Sequence, residues 1–342
     1  MKYITPIKPT DKNDLLSQTY TQIRKEAVPI PILMMHSVCP ILFASNWSLF
    51  RETFLVDKQV SRDIKEAINL AVSKVNICPY CIDAHSIMLS GLKQQKIAIA
   101  IVNNDLNAIA NPKLKNIVEW ALSSNQPNHT LLQNPPFNSV EAPEIIAAAL
   151  NFHYTNRLVN IFLDKAFIPL PFGKGIASWI VRQVMVKTGL VGVSRTAGKS
   201  LVLLPETTLT DEFQWATPNP FITQSLARHT VAINKTISKF VSQDVQSFVE
   251  QIISQWDGQD KGISRQWVDI LTDGLDLRAK AIAKLALLTA FSSFQVDKTV
   301  IDEFKSYFPL DEQLLAVVAW ASFYTARIIA SWINLPQRLL ST

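Results

Sequence analysis

Apolar side chains recur at helical rather than strand spacing along most of this chain. Ile64, Ala67, Ile68, Ala71, Val72 and Val75 fall on one face of a helix, behind Ser61, a residue type that caps helix N-termini. Comparable stripes cover residues 114–122, 144–162, 244–256 and 277–290. No run of alternating β-branched residues is long enough to found a sheet, and the apolar SLVLLP segment at 200–205 is short. The pattern predicts an all-α fold.

Punctuation along the chain divides those helices into two lobes. Five of the nine glycines lie between positions 173 and 198, after Pro169 and Pro171. Such clustering marks a connector. The division is a first lobe over 1–165, a connector over 166–205 and a second helical lobe over 206–342. The connector carries a short amphipathic piece at 176–186, with Trp179 and Arg182, expected to pack across the lobe junction. The lobes end alike: NFHYTNRLVNIFL in the first aligns Tyr154, Thr155 and Arg157 with Tyr324, Thr325 and Arg327 of ASFYTARIIASWI in the second. This reads as a degenerate duplication. It predicts equivalent buried or semi-buried sites for the two arginines, with a shared ion-pairing or capping role.

Composition narrows the function classes. The chain has 342 residues, 48% hydrophobic and 18% charged, enough to bury a sizeable core. The net charge of +5 is spread rather than striped, which argues against nucleic-acid binding. Three cysteines, Cys39, Cys78 and Cys81, are too few for a disulfide-stapled secreted domain. The polar first 13 residues, with two prolines, lack the apolar core of a signal peptide. A cytoplasmic protein is expected. The apolar stretch 314–333 is about long enough to span a bilayer, but Arg327 lies within it, and a buried core helix is the expectation instead of a membrane span.

The chemistry concentrates between residues 65 and 89, KEAINLAVSKVNICPYCIDAHSIML. Pro79 suits the first turn of a helix, where its missing N–H is no loss, and this places Cys78 at the N-cap. Cys78, Cys81 and His85 then share an arc of roughly 60°. A helix N-terminus stabilises a thiolate. A histidine one turn away can take a thiol proton. A second thiol three residues off can close a disulfide before overoxidation. Glu66 lies on the preceding helix, and a helical hairpin would return it to the imidazole. The helix dipole, worth about 0.3–1 kcal/mol at exposed sites, favours Cys78 as thiolate. A charge-assisted bond to His85 favours Cys81, by a small margin.

A glutamate, eleven residues, CxxC, three residues and a histidine form the motif of alkylhydroperoxidase D-like proteins in the carboxymuconolactone decarboxylase superfamily. The chain resembles that family through Glu66, Cys78, Cys81 and His85, and through the YTNR segment near the end of the first lobe. The second lobe, which has no cysteine, resembles it only weakly. The resemblance implies a cofactor-free thiol peroxidase acting on organic hydroperoxides. In it Cys81 attacks the peroxide, Cys78 resolves, and His85 and Glu66 relay protons. It further implies an external dithiol or thioredoxin-like reductant and a homo-oligomer. One position departs from the family: a histidine usually precedes the second cysteine, and here Tyr80 stands there.

Two other readings use the same residues. A general disulfide oxidoreductase or redox sensor would share the dithiol. A non-enzymatic helical repeat protein would carry a vestigial cysteine site or a zinc site, the latter drawing on Cys78, Cys81 and His85 with Glu66 or a water as fourth ligand, but no second CxxC supplies the usual complement. His153, in the HYTNR segment, is a candidate supporting residue for the site. His36, His129 and His229 have no evident sequence partner, and Cys39 reads as a buried spectator. The Gly198-Lys199-Ser200 triplet lacks the glycine spacing of a phosphate-binding loop, so no nucleotide site is expected.

Overall fold

The computed structural model describes residues 1–9, 14–165, 179, 183 and 193–335. Most of the predicted connector, including the amphipathic piece at 176–186 apart from Trp179 and Gln183, lies outside the described residues. Among the described residues there is no strand, and the fold is all-α. The segment at 200–205 forms a short 3-10 turn, Leu201–Leu203.

Among the described residues up to 165 the helices are α1 (Leu15–Glu26), α2 (Pro31–Met34), α3 (Pro40–Phe50), α4 (Arg62–Val75), α5 (Pro79–Gly91), α6 (Gln95–Asn103), α7 (Pro112–Leu122), α8 (Thr130–Gln133) and α9 (Ala142–Phe162). Beyond residue 205 follow α10 (Pro220–Ile237), α11 (Gln243–Ser254), α12 (Gln266–Leu271), α13 (Leu277–Ser292), α14 (Lys298–Tyr307) and α15 (Asp311–Ser331). Proline opens α2, α3, α5, α7 and α10, and lies in the first turn of α9, positions where a backbone N–H has no helical partner. Ser61 does sit at the N-cap of α4, but its hydroxyl donates to Asp63 at 2.5 Å rather than capping the backbone.

The architecture is organised on α9 and α15, which lie against each other along their length. Both are buried nearly all round, as expected of helices whose apolar residues do not confine themselves to one stripe. α4 packs on α9, α5 pairs with α4 as a hairpin, and α7 covers α4. On the other side α3 packs on α10. α15 is the one described helix long and apolar enough to cross a membrane, and most of it is buried in the protein.

The two arginines are buried and semi-buried, but they do not share a role. Arg157 is buried and donates to the carbonyls of Ala290 and His153 and to the Asn76 amide oxygen. Arg327 lies near the surface, in an ion pair with Glu212. The difference comes from what faces each helix: the Asn76 turn in one case, the acidic 3-10 turn Asp211–Ala216 in the other.

A π-helical turn, Arg51–Leu55, extends α3. It buries Arg51, which pairs with Glu26 at 2.7 Å and with Glu52. Glu52 accepts from Gly198 N at 2.8 Å and Ser200 Oγ at 2.6 Å, with Gly198 at φ +83°. The Gly-Lys-Ser triplet is thus engaged by a carboxylate of the protein itself.

The histidines without sequence partners find them in space. His36 Nε2 lies 2.8 Å from Tyr154 Oη and His229 Nδ1 lies 3.0 Å from Ser45 Oγ, both in the core. His129 caps α8 by accepting from Leu131 N. Burial pushes His36 down to about 4 and His229 to about 3, and holds His153 well below the ordinary value near 6.5. The unfolded chain therefore takes up protons at these sites as pH falls below about 6.5, while the folded protein does not. Stability should drop as pH falls from about 6.5 toward about 4, each histidine contributing a slope of about 1.4 kcal/mol per pH unit. Urea unfolding at pH 7, 6 and 5 measures that slope. His229→Phe should remove one histidine's share; an unchanged slope would contradict the assignment.

Candidate active site

The site is built on the α4–α5 hairpin, and the hairpin on one tight reversal. α4 ends where Asn76 N bonds Val72 O at 3.0 Å. Ile77 adopts a left-handed conformation, φ 50°, uncommon for a β-branched residue. Cys78 N then reaches back to Ser73 O at 3.0 Å, and Pro79 starts α5 with Cys78 at its N-cap.

A polar stripe on α9 holds this turn. His153 Nδ1 lies 3.1 Å from Asn76 Nδ2, Asn156 Oδ1 accepts from that same amide nitrogen at 3.0 Å, and Arg157 donates to Asn76 Oδ1 at 3.1 Å. Asn160 donates to Asn76 O at 3.0 Å. Residues 153, 156, 157 and 160 are spaced i, i+3, i+4, i+7, one face of a helix. The sequence marks His153 and Arg157 of this stripe but not Asn160, and nothing in it points to Asn76. The signal was present as a polar seam through an otherwise apolar helix. His153 supports the site through Asn76: its other nitrogen bonds Ser124 Oγ at 2.9 Å, and it does not line the cavity at Cys81.

Antiparallel pairing in the hairpin brings Glu66 to His85. Glu66 Oε2 lies 2.6 Å from His85 Nδ1, and Glu66 Oε1 accepts from Arg62 Nε at 2.9 Å. Glu66 is wholly buried. Burial alone would raise its carboxyl pKa, but Arg62 and His85 outweigh burial and hold it below the ordinary range. An ionised carboxylate only accepts, so Nδ1 of His85 carries the proton and Nε2 is left as a base. Phe152 and Phe54 meet the imidazole edge-on, at centroid distances of 4.5 and 6.0 Å.

Cys78 and Cys81 are joined as a disulfide, with Cα atoms 5.4 Å apart. Their environments differ. Cys78 is 0% exposed and Cys81 3%. Cys81 and His85 line a cavity of about 100 Å³ walled mainly by apolar side chains, Ile32, Phe54, Met88 and Phe152 among them; Cys78 does not line it. Tyr80, at the position where the family usually has histidine, is part of the wall, and burial pushes its phenol up to about 12. It stays protonated near neutrality and cannot replace a histidine as a base. Cys39 is remote in partnership: its thiol donates to Glu312 at 3.5 Å, and burial raises it to about 11. Among the described residues no group of three or more His, Cys, Asp or Glu side chains is arranged to hold a metal ion.

No family model matches the chain. An alkyl hydroperoxide reductase of Mycobacterium tuberculosis is 30% identical over 338 residues, covering 98% of this chain and 95% of that protein. The chain belongs to the alkylhydroperoxidase D-like family. It is an enzyme of that family, and the similarity runs through both lobes, including the one without cysteines.

In this alkylhydroperoxidase D-like enzyme the buried Glu66–His85 pair should control thiol reactivity. Glu66→Gln preserves shape but loses the ionised acceptor that holds the proton on His85 Nδ1. In reduced protein it should slow alkylation of Cys81 by iodoacetamide at pH 7 by on the order of 100-fold. An unchanged rate, with the helical circular dichroism intact, would contradict the role.

Proposed function

We propose that this enzyme is a thiol-dependent peroxidase that reduces small organic hydroperoxides. The observation that carries the reading is that Cys81 and His85 open onto the same apolar cavity while His85 is held from behind by an ionised carboxylate. In the reduced enzyme His85 Nε2 takes the Cys81 proton. The thiolate attacks the terminal oxygen of the hydroperoxide and the O–O bond breaks. The electron pair leaves on the alkoxide, which takes the proton from His85 and departs as an alcohol. Cys81 is left as a sulfenic acid. The Cys78 thiol condenses with it, releasing water and forming the disulfide. An external dithiol then returns both cysteines to thiols while becoming oxidised itself. No cofactor or metal enters these steps.

The burial of both cysteines weighs against a general disulfide oxidoreductase, whose protein substrates need an accessible thiol. The same burial favours a small dithiol over a thioredoxin-like protein as reductant. Few cysteines and a dithiol that must rest reduced favour a cytoplasmic enzyme. We assign the second lobe, as a degenerate copy of the first, a packing role on α9, and we take the enzyme to act as a homo-oligomer, with exposed Ile270 and Leu277 supplying apolar surface.

Two single substitutions separate the roles. Cys81→Ser should abolish hydroperoxide consumption with the fold intact. Cys78→Ser should react once, accumulate a sulfenic acid at Cys81 and stall. Trapping the sulfenic acid with dimedone and locating it by peptide mass spectrometry reads the outcome. Turnover surviving in Cys81→Ser, or sulfenic acid found at Cys78 in that variant, would overturn the assignment.

A further inference from the structure

Arg62 has three hydrogen-bonding edges, and the protein uses two. Nε is bound to Glu66 Oε1 at 2.9 Å, and Nη1 donates to Phe54 O at 3.4 Å. The guanidinium lies over the Phe54 ring, 3.8 Å from its centroid, which fixes its plane. Nη2 is buried with no partner among the described residues, on a residue only 8% exposed. Buried polar groups are nearly always satisfied, so an orphaned donor calls for a partner. Arg62 also lines the cavity shared by Cys81 and His85. The other orphaned side chains on this hairpin, Asn69 and Ser86, do not line it.

We propose that Arg62 is a catalytic residue whose Nη2–H donates to the hydroperoxide oxygens. This rests on the peroxidase reading and extends it. As the Cys81 thiolate attacks, negative charge moves from sulfur to the leaving oxygen. A fixed guanidinium edge in a site walled by apolar side chains stabilises that charge more in the transition state than in the ground state. His85 then supplies the proton that completes the alcohol, so the two groups act on the same oxygen in succession. Glu66 and Phe54 already hold the guanidinium plane at the cavity wall. The carboxylate therefore serves both sides: through one oxygen it sets the tautomer of the base, and through the other it aims the electrophile.

The prediction separates peroxide chemistry from simple thiolate formation. Iodoacetamide needs only the thiolate, whereas tert-butyl hydroperoxide also needs its departing oxygen stabilised. The background is Cys78→Ser, reduced, with Cys81 as the reporting thiol. Arg62→Lys keeps a cation for Glu66 but lacks the planar fork. It should lower the second-order rate of sulfenic acid formation about 100-fold, with iodoacetamide alkylation changed less than about threefold. Arg62→Met preserves packing on Phe54 but takes the cation from Glu66, so it should slow both reactions, the peroxide reaction by about 100-fold more. Equal losses in both reactions would mean that Arg62 acts only through Glu66, and an undiminished peroxide rate would mean that it does not act; either overturns the proposal. Absence of sulfenic acid in Cys78→Ser alone would remove the peroxidase reading itself, and the role of Arg62 with it.

Discussion

The bond between Glu66 and His85 is the constraint around which the first lobe is arranged. A carboxylate with no access to water is costly unless it is paired and hydrogen-bonded. Here one oxygen faces an imidazole at 2.6 Å and the other a guanidinium at 2.9 Å. Meeting that requirement demands an antiparallel hairpin of fixed register, because Glu66 and His85 are on different helices. Register in turn depends on the Asn76–Cys78 reversal. A slip of one residue there would turn His85 away from Glu66 by about 100°.

That dependence explains why so much polar machinery is buried in α9. His153, Asn156, Arg157 and Asn160 converge on Asn76 from one helix face. Arg157 also donates to Ala290 O in the second lobe, so the turn that carries Cys78 is tied to both halves of the molecule. The second lobe contributes no thiol, yet α15 packs along the helix that holds the redox turn. Burial of His36 and His229 makes the core they share a source of acid sensitivity.

The sequence made local features legible and left distant ones dark. Helical periodicity placed α4, α7, α9 and α13 to within a few residues, because each pattern lies within one segment. Pro79 announced the start of α5 and placed Cys78 at its cap. The motif spacing named Glu66, Cys78, Cys81 and His85, although only a tertiary contact brings Glu66 to the imidazole. Asn76 went unnoticed because its partners are some eighty residues away on another helix. Arg62 lies one turn before Glu66 and reads as an ordinary helical ion pair until the burial of Nη2 is seen. The shared role expected of Arg157 and Arg327 failed because similar helix ends face dissimilar neighbours.

Oxidation of this dithiol by hydroperoxide is the step on which every assigned role depends. Reduced protein treated with one equivalent of tert-butyl hydroperoxide, then digested and examined by mass spectrometry, tests it most directly. The peroxidase mechanism predicts stoichiometric conversion of Cys78 and Cys81 to one disulfide-linked species, with Cys39 still a free thiol. Two reduced cysteines surviving beside unconsumed peroxide, or oxidation falling on Cys39 instead, would contradict it.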